Sequence, residues 1–165
     1  EMLYMSKLES DTFECNKVSF PAEKLRDKLL LRTENEFSTE KIVFDIQPAD
    51  ITADITLMKR ALLNYITNAV KHRTEGTTVE VKGYQEGEYY VFSVTNEGEE
   101  ISDREKELIW DVFYKRDEAR TRAGTGHGIG LAIVKRIADL HSGEVNLISE
   151  NGKSTFYLKI SNKSE

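Results

Sequence analysis

The chain has 165 residues, of which 39% are hydrophobic and 32% are charged, an ordinary balance for one globular domain with a substantial core. Its formal net charge of −6 argues against a general nucleic-acid surface, which needs a basic patch. A single cysteine, Cys15, cannot form an internal disulfide, so we expect a reducing compartment. No apolar run reaches the ~18 residues that a membrane span needs, and no signal peptide is visible. Because the chain opens on Glu1 rather than Met, we expect it to be a fragment of a larger protein.

The first third of the chain predicts short elements. Residues 1–11 are typical of the C-terminal end of a helix followed by polar residues. Residues 17–20 suggest a short edge strand, and leucines at helical spacing predict a helix over residues 22–31. Residues 41–46 are a strand candidate, followed by Pro48.

The next helix is predicted to run from a cap at Asp54 or Thr56 to about His72. Its core face collects apolar side chains, namely Leu62, Ile66, Ala69 and Val70. On the opposite side lie Asn64, Asn68 and Lys71, at positions i, i+4 and i+7. An ordinary solvated face is one interpretation. The other is a ligand site, since asparagine oxygens can bind a hard cation such as Mg²⁺ while a lysine meets a phosphate.

The second half of the chain predicts two hairpins and two helices. Apolar and polar residues alternate along residues 78–86 and 88–95, which meet at Glu86 and Gly87. The same alternation is found along residues 144–149 and 154–160, which are joined by a turn at Asn151-Gly152. Helices are expected over residues 103–110 and 129–141. The sequence therefore predicts an α+β, two-layer α/β sandwich in which a mixed, mostly antiparallel sheet of about five strands packs on three helices.

Residues 124–131 place four glycines at alternate positions before the last helix. Such a segment can bring backbone N–H groups to a phosphate at a helix N-terminus, although a mobile surface turn is an alternative. The glycines match neither a P-loop, which needs Gly-Lys-Ser/Thr, nor a dinucleotide fingerprint, which follows a strand.

Four of these blocks, in this order, resemble the catalytic and ATP-binding domain of sensor histidine kinases, in the Bergerat-fold superfamily. Residues 63–72 resemble its asparagine box, 94–101 its first glycine box, 109–116 its phenylalanine box and 124–134 its second glycine box. The resemblance implies a catalytic ATP-binding domain over residues 15–165. Residues 1–14 resemble the end of the second helix of the dimerisation and phosphoacceptor domain.

The resemblance also implies a role for each matched residue. Asn64 and Asn68 would hold Mg²⁺, and Asn64, Lys71 and Lys115 would assist transfer of the terminal phosphoryl group of ATP. The residues implied to contact the nucleotide or close a lid over it are Asn68, Lys71, His72, Asn96, Gly98, Ile101, Tyr114, Lys115, Gly124, Thr125, Gly126, His127, Gly128, Ile129, Gly130, Leu131 and Thr155. Ile109 and Phe113 would help line the adenine pocket or seat the lid.

Three positions depart from related patterns. Asn96 stands where the family commonly has an aspartate that accepts a hydrogen bond from adenine, and Glu100 replaces a glycine. ATPases of the same fold have a general-base glutamate four residues before the metal-binding asparagine; here that position is Asn64, which has no useful basicity. The resemblance therefore favours phosphoryl transfer to a stronger nucleophile over hydrolysis by water.

The phosphoacceptor is expected outside this chain, because His72, His127 and His141 do not resemble one. The resemblance implies as partners the parent's own dimerisation and phosphoacceptor domain, in a homodimer, and a downstream response regulator. It implies a cytoplasmic domain whose contact with a membrane runs through other parts of the parent. Two alternatives stay open: a serine kinase of the anti-sigma-factor type, and a non-enzymatic interaction domain that has lost nucleotide binding.

Overall fold

A computed structural model describes residues 2–112, 114 and 130–162 of the chain. The helices are α1 (Met2–Glu9), α2 (Ala22–Glu36), α3 (Ile55–His72), α4 (Asp103–Leu108) and α5 (Gly130–Leu140). The strands are β1 (Val18–Pro21), β2 (Ile42–Ile46), β3 (Asp50–Ala53), β4 (Val79–Glu86), β5 (Tyr89–Glu97), β6 (Glu144–Glu150) and β7 (Lys153–Ser161). Within these ranges, no helix has the length and apolar character needed to cross a membrane.

Five strands form a mixed sheet in the order β2-β4-β5-β7-β6. The β2–β4 pair is parallel, and the other three pairs are antiparallel. The β6–β7 turn places Asn151 at φ +53° and Gly152 at φ +75°, as a two-residue type I′ turn requires. Both predicted hairpins are confirmed, with the β4–β5 turn at Gly87 and Glu88, one residue later than predicted.

The three longer helices, α2, α3 and α5, pack on one face of this sheet. Tyr90, Phe92 and Val94 of β5 and Phe156 and Leu158 of β7 alternate towards that face and are almost fully buried. Burial of these side chains against the helices contributes to the stability of the fold. The predicted α+β two-layer sandwich is confirmed.

A second, two-stranded sheet pairs β1 with β3 in antiparallel register. Residues 17–20 were predicted as an edge strand, whereas β3 was not predicted from the sequence. Four residues after Pro48 are too short to show a clear alternating pattern, and pairing with β1 stabilises the strand.

Helix α1 packs against α5, with Met5 and Leu8 buried and Met2 exposed by 49%. The Arg136 Nε donates a hydrogen bond to the Leu8 carbonyl over 3.1 Å, which satisfies an acceptor at the C-terminus of α1. The Arg60 guanidinium lies 4.0 Å above the ring centroid of Tyr4, a cation–π contact between α3 and α1. The first helix is thus held by the same two helices that carry the candidate site.

Candidate nucleotide site at the C-terminal half of α3

Helix α3 positions the polar residues that the sequence singled out. Of the two predicted caps, Asp54 and Thr56, the helix uses Asp54, whose Oδ1 accepts hydrogen bonds from the N–H groups of Thr56 and Leu57, each over 3.1 Å. Its apolar face is buried at Leu62, Ile66 and Ala69, as expected from the helical period.

The face away from that core carries the candidate ligands. Asn64, Asn68 and His72 are partly exposed, and Lys71 is exposed. Because one turn of helix separates Asn64 from Asn68, their amide groups lie on the same side of α3. The structure therefore places two amides and one ammonium group along a single accessible stripe of α3.

Asn64 joins α3 to the N-terminus of α5. Its Nδ2 donates to the Gly130 carbonyl over 3.1 Å, across 66 residues of sequence. This bond directs the amide nitrogen to Gly130 and leaves the Oδ1 as the acceptor on the other side of the carboxamide. The last glycine of the predicted phosphate segment is thus brought against the predicted metal ligand, and the half-buried Leu131 follows it.

The loop after β5 is held against the C-terminus of α3. A β-bridge pairs Arg73 with Gly98, and the Thr74 N–H donates to the Glu97 carbonyl over 2.7 Å. A Cβ added to Gly98 would lie 2.5 Å from the His72 carbonyl oxygen. Glycine is therefore required at position 98 by the close approach of two backbones.

Asn96 lies at the end of β5 and is buried, with 4% of its surface exposed. Its Nδ2 lies 3.4 Å from the Glu97 carbonyl oxygen, a donor–acceptor contact at the long end of the hydrogen-bond range. The reverse amide orientation would place two acceptor oxygens together. Because the Nδ2 is directed to the Glu97 carbonyl, the Oδ1 is the acceptor that Asn96 can offer to a hydrogen-bond donor.

Apolar and aromatic side chains form the floor beside this loop. Ile101 and Ile109 are buried, and Tyr65 packs between Trp110 and Phe156 at ring-centroid distances of 6.4 Å and 5.4 Å. The Tyr65 hydroxyl donates to the Tyr157 carbonyl over 2.8 Å, and complete burial raises its pKa well above the ordinary value. Tyr65 is consequently a neutral structural residue beneath the site.

Thr155 is not brought to this cluster. Its hydroxyl pairs with that of Thr95 over 2.9 Å, on the sheet face that points away from the helices. Side chains alternate along a strand, so its neighbour Ser154 occupies the helix-facing position opposite Asn96. Sequence reasoning missed Ser154, although the period of two in β7 carried the signal.

Of the other predicted site residues, Tyr114 is partly buried and packs against the core. Eight lie outside the described residues: Phe113, Lys115, Gly124, Thr125, Gly126, His127, Gly128 and Ile129. The structure thus brings together Asn64, Asn68, Lys71, His72, Asn96, Gly98, Ile101, Gly130 and Leu131 around the C-terminal half of α3 and the N-terminus of α5.

Comparisons with known proteins identify the family of the chain. Over 112 residues, 67% of this chain, the sequence is 36% identical to the sensor protein CzcS of Cupriavidus metallidurans, covering 24% of that protein. The probable sensor kinase SilS of Salmonella typhimurium is 26% identical over 166 residues, with 97% of this chain and 33% of SilS covered. The chain therefore spans between about a quarter and a third of the length of these curated relatives.

Among solved structures, full-length ShkA in complex with AMPPNP superposes with a TM-score of 0.83 at 22% identity, covering 99% of this chain and 35% of ShkA. At that identity the likeness establishes the fold. Residues 53–164 match the family model described as histidine kinase-, DNA gyrase B-, and HSP90-like ATPase, which includes every described block of the site. The chain belongs to this ATPase family.

Proposed function

We propose that this chain is the catalytic ATP-binding domain of a two-component sensor histidine kinase. It would hold Mg-ATP and present the γ-phosphoryl group to a histidine on a separate phosphoacceptor domain. The observation that carries the proposal is the convergence of two distant segments on α3. Gly130 lies against Asn64, and the loop after β5 contacts the end of the helix through Gly98 at His72 and Glu97 at Thr74.

The metal would be bound by the amides of Asn64 and Asn68. The donor set fits Mg²⁺, because the Asn64 Nδ2 is committed to the Gly130 carbonyl and the hard oxygen Oδ1 remains for a cation. Bound Mg²⁺ would neutralise charge on the phosphates. Lys71, exposed on the same stripe, would add a positive charge beside them.

The base of the nucleotide would lie against the loop after β5. The Asn96 Oδ1 would accept a hydrogen bond from the 6-amino group of adenine, and Ile101 and Ile109 would contribute apolar contacts to the ring. His72, on the other side of Gly98, would lie beside the nucleotide. Phosphate contacts at the other end would come from the N-terminus of α5 at Gly130 and Leu131. They would also come from Lys115 and residues 124–129, the predicted lid, with Tyr114 beside Lys115.

Transfer to an imidazole suits this site better than hydrolysis. Asn64 stands at the position of the hydrolytic base, and its nitrogen is bonded to a carbonyl rather than to an attacking water. An imidazole nitrogen of the acceptor would attack the γ-phosphorus, while the bond to the β–γ bridging oxygen breaks and ADP leaves. Positioning and charge stabilisation would carry this step.

The acceptor histidine would be supplied by the dimerisation and phosphoacceptor domain of the parent, of which residues 1–14 would be the last part. The packing of α1 on α5 supports a direct mechanical connection between that domain and the site. A response regulator would take the phosphoryl group onward. This domain would lie in the cytoplasm, with any membrane contact made by other parts of the parent.

Two measurements test the proposal. Calorimetric titration with a non-hydrolysable ATP analogue should show saturable binding that tightens with Mg²⁺, and absence of binding would leave only the interaction-domain alternative. Mixing the chain with the parent's phosphoacceptor domain and labelled ATP should then yield an acid-labile, base-stable label on that domain. An acid-stable label would instead identify a serine kinase.

A further inference from the structure

The loop after β5 also contacts the turn between β6 and β7. The Gly98 N–H donates to the Gly152 carbonyl over 2.9 Å, and the Gly152 N–H donates to the Glu100 Oε1 over 3.2 Å. The Ile101 N–H donates to the Ser149 Oγ over 2.8 Å. We call these contacts between the loop residues Gly98, Glu100 and Ile101 and the hairpin residues Ser149 and Gly152 the hairpin clamp.

A buried pair of hydroxyl groups supports the clamp. The Ser149 and Ser154 Oγ atoms lie 2.8 Å apart, and the residues are 7% and 3% exposed. Because Ser149 already accepts from the Ile101 N–H, its bond with Ser154 restricts the rotation of its hydroxyl. Without Ser149, the Ile101 N–H would lose its hydrogen-bond partner in a buried environment, which is costly.

The clamp acts on the residues that follow Asn96. Ser154 lies directly opposite Asn96 in the β5–β7 ladder, so the hairpin and the end of β5 are in fixed register. On its other side the loop rests on α3, where Gly98 meets the His72 carbonyl. The loop is therefore held between α3, which carries the proposed metal and phosphate residues, and the hairpin, which carries none of them.

We propose that Ser149 and Glu100 are positioning residues for the base-binding end of the nucleotide site. Ser149 acts by accepting a hydrogen bond from the Ile101 N–H. Glu100 acts by accepting a hydrogen bond from the Gly152 N–H, which ties the loop to the hairpin. This inference rests on the proposed function. Loosening the clamp widens the range of positions of Ile101 relative to Asn96 and weakens recognition of the base, while Asn64, Asn68 and Lys71 on α3 keep their geometry.

The test compares Mg·ATP with Mg·ITP, whose base has a carbonyl in place of the 6-amino group, by calorimetry on the whole chain. Wild type should prefer ATP. Ser149→Ala should weaken ATP binding about tenfold and ITP binding less, so that the ATP:ITP preference falls. Ser149→Thr, which keeps the hydroxyl, should restore the preference. The matched control is Ser93→Ala, a buried serine on the other sheet face, which should leave both affinities unchanged.

Two results overturn the inference: a wild-type chain without preference between the nucleotides, or equal losses for both nucleotides in Ser149→Ala. A wild-type chain that binds neither nucleotide contradicts the proposed function itself. Glu100→Ala keeps the test decisive if Ser149→Ala fails to fold, because Glu100 is exposed. It should lower the ATP:ITP preference about two- to threefold, whereas Glu150→Ala, exposed on the same hairpin, should not. No change in Glu100→Ala overturns its assignment.

Discussion

Helix α3 is bridged to both ends of α5, and the two bridges differ in kind. At the N-terminus of α3, the His141 Nε2 accepts a hydrogen bond from the Asp54 N–H over 3.0 Å, and its Nδ1 donates to the Ile137 carbonyl over 2.7 Å. At the other bridge, Asn64 bonds the Gly130 carbonyl. We call the first the linker bridge, because the Asp54 Oδ2 also accepts from the Asn16 N–H of the segment that follows α1.

The linker bridge is centred on a buried histidine whose two ring nitrogens are both hydrogen-bonded. His141 is 2% exposed and uses both ring nitrogens, which requires the neutral tautomer with a proton on Nδ1. The Asn64 bridge instead lies in a stripe of partly exposed polar residues outside the hydrophobic core. We therefore expect the linker bridge to maintain the fold and the Asn64 bridge to belong to the proposed nucleotide site. Substitutions at the two bridges should therefore separate folding from binding.

The largest effect is expected from Asn68→Ala, beside the Asn64 bridge. Removal of a proposed metal ligand should weaken Mg-dependent binding of an ATP analogue about 100-fold, roughly 2.7 kcal/mol, with little change in thermal stability. Calorimetry and a melting curve measure the two quantities. Asn35→Ala, an exposed asparagine on α2, is the matched control. Unfolding of Asn68→Ala would mean that this residue is structural and would remove the contrast.

The reverse behaviour is expected from His141→Ala. Loss of the ring leaves the Asp54 N–H and the Ile137 carbonyl without their partner and opens a cavity, so the free energy of unfolding should fall by about 2–3 kcal/mol. Denaturant titration measures the change. The folded fraction should bind the ATP analogue with wild-type affinity, and a selective loss of affinity at unchanged stability would contradict the structural role.

A smaller loss of stability is expected from Asp54→Ala, about 1–2 kcal/mol, because the variant loses both the α3 cap and the acceptor of the Asn16 N–H. Asp54→Asn keeps a capping oxygen and should recover most of that stability. Equal stability of Asp54→Ala and wild type in denaturant would show that the linker bridge does not depend on this side chain.

The smallest effect is a pH dependence of stability. Burial lowers the pKa of His141, opposed by its bond to the Ile137 carbonyl; Lys17 lowers it further and Asp54 raises it. The unfolded chain, with a pKa of about 6.5, then binds more protons than the folded chain, so the stabilisation is complete above about pH 6.5 and is lost as pH falls towards the folded pKa. The Cys15 Sγ lies 3.8 Å from the His141 Nε2, and burial raises the pKa of the Cys15 thiol.

Denaturant titrations at about pH 7.5 and about pH 5.5 measure this dependence. His141→Gln, which can still accept and donate but does not titrate near neutrality, should show a smaller decrease in stability over that range. An identical decrease in both proteins would assign the pH dependence to other groups.

Local patterns predicted much of the fold. The Asp54 cap, the extent of α3, the Asn151-Gly152 turn and the alternating core of β5 all depend on residues close together in sequence. The pairing of β1 with β3 could not be predicted in this way, because each strand is stabilised by a partner some thirty residues distant rather than by its own pattern. The placement of Thr155 depended on which face of β7 meets the helices, which a motif alone does not reveal.

For the candidate site, too, the sequence predicted some features and the tertiary structure decided others. The resemblance of four sequence blocks in the right order was enough to predict membership of this family, and the match over residues 53–164 confirms it. Only the tertiary structure decided three of the contacts described above. These are the bond of Asn64 to the Gly130 carbonyl, the bond of the Gly152 N–H to Glu100, and the bond of the Asp54 N–H to His141. Each of those bonds joins groups at least 52 residues apart, and their distance and direction arise only once the sheet and helices have packed.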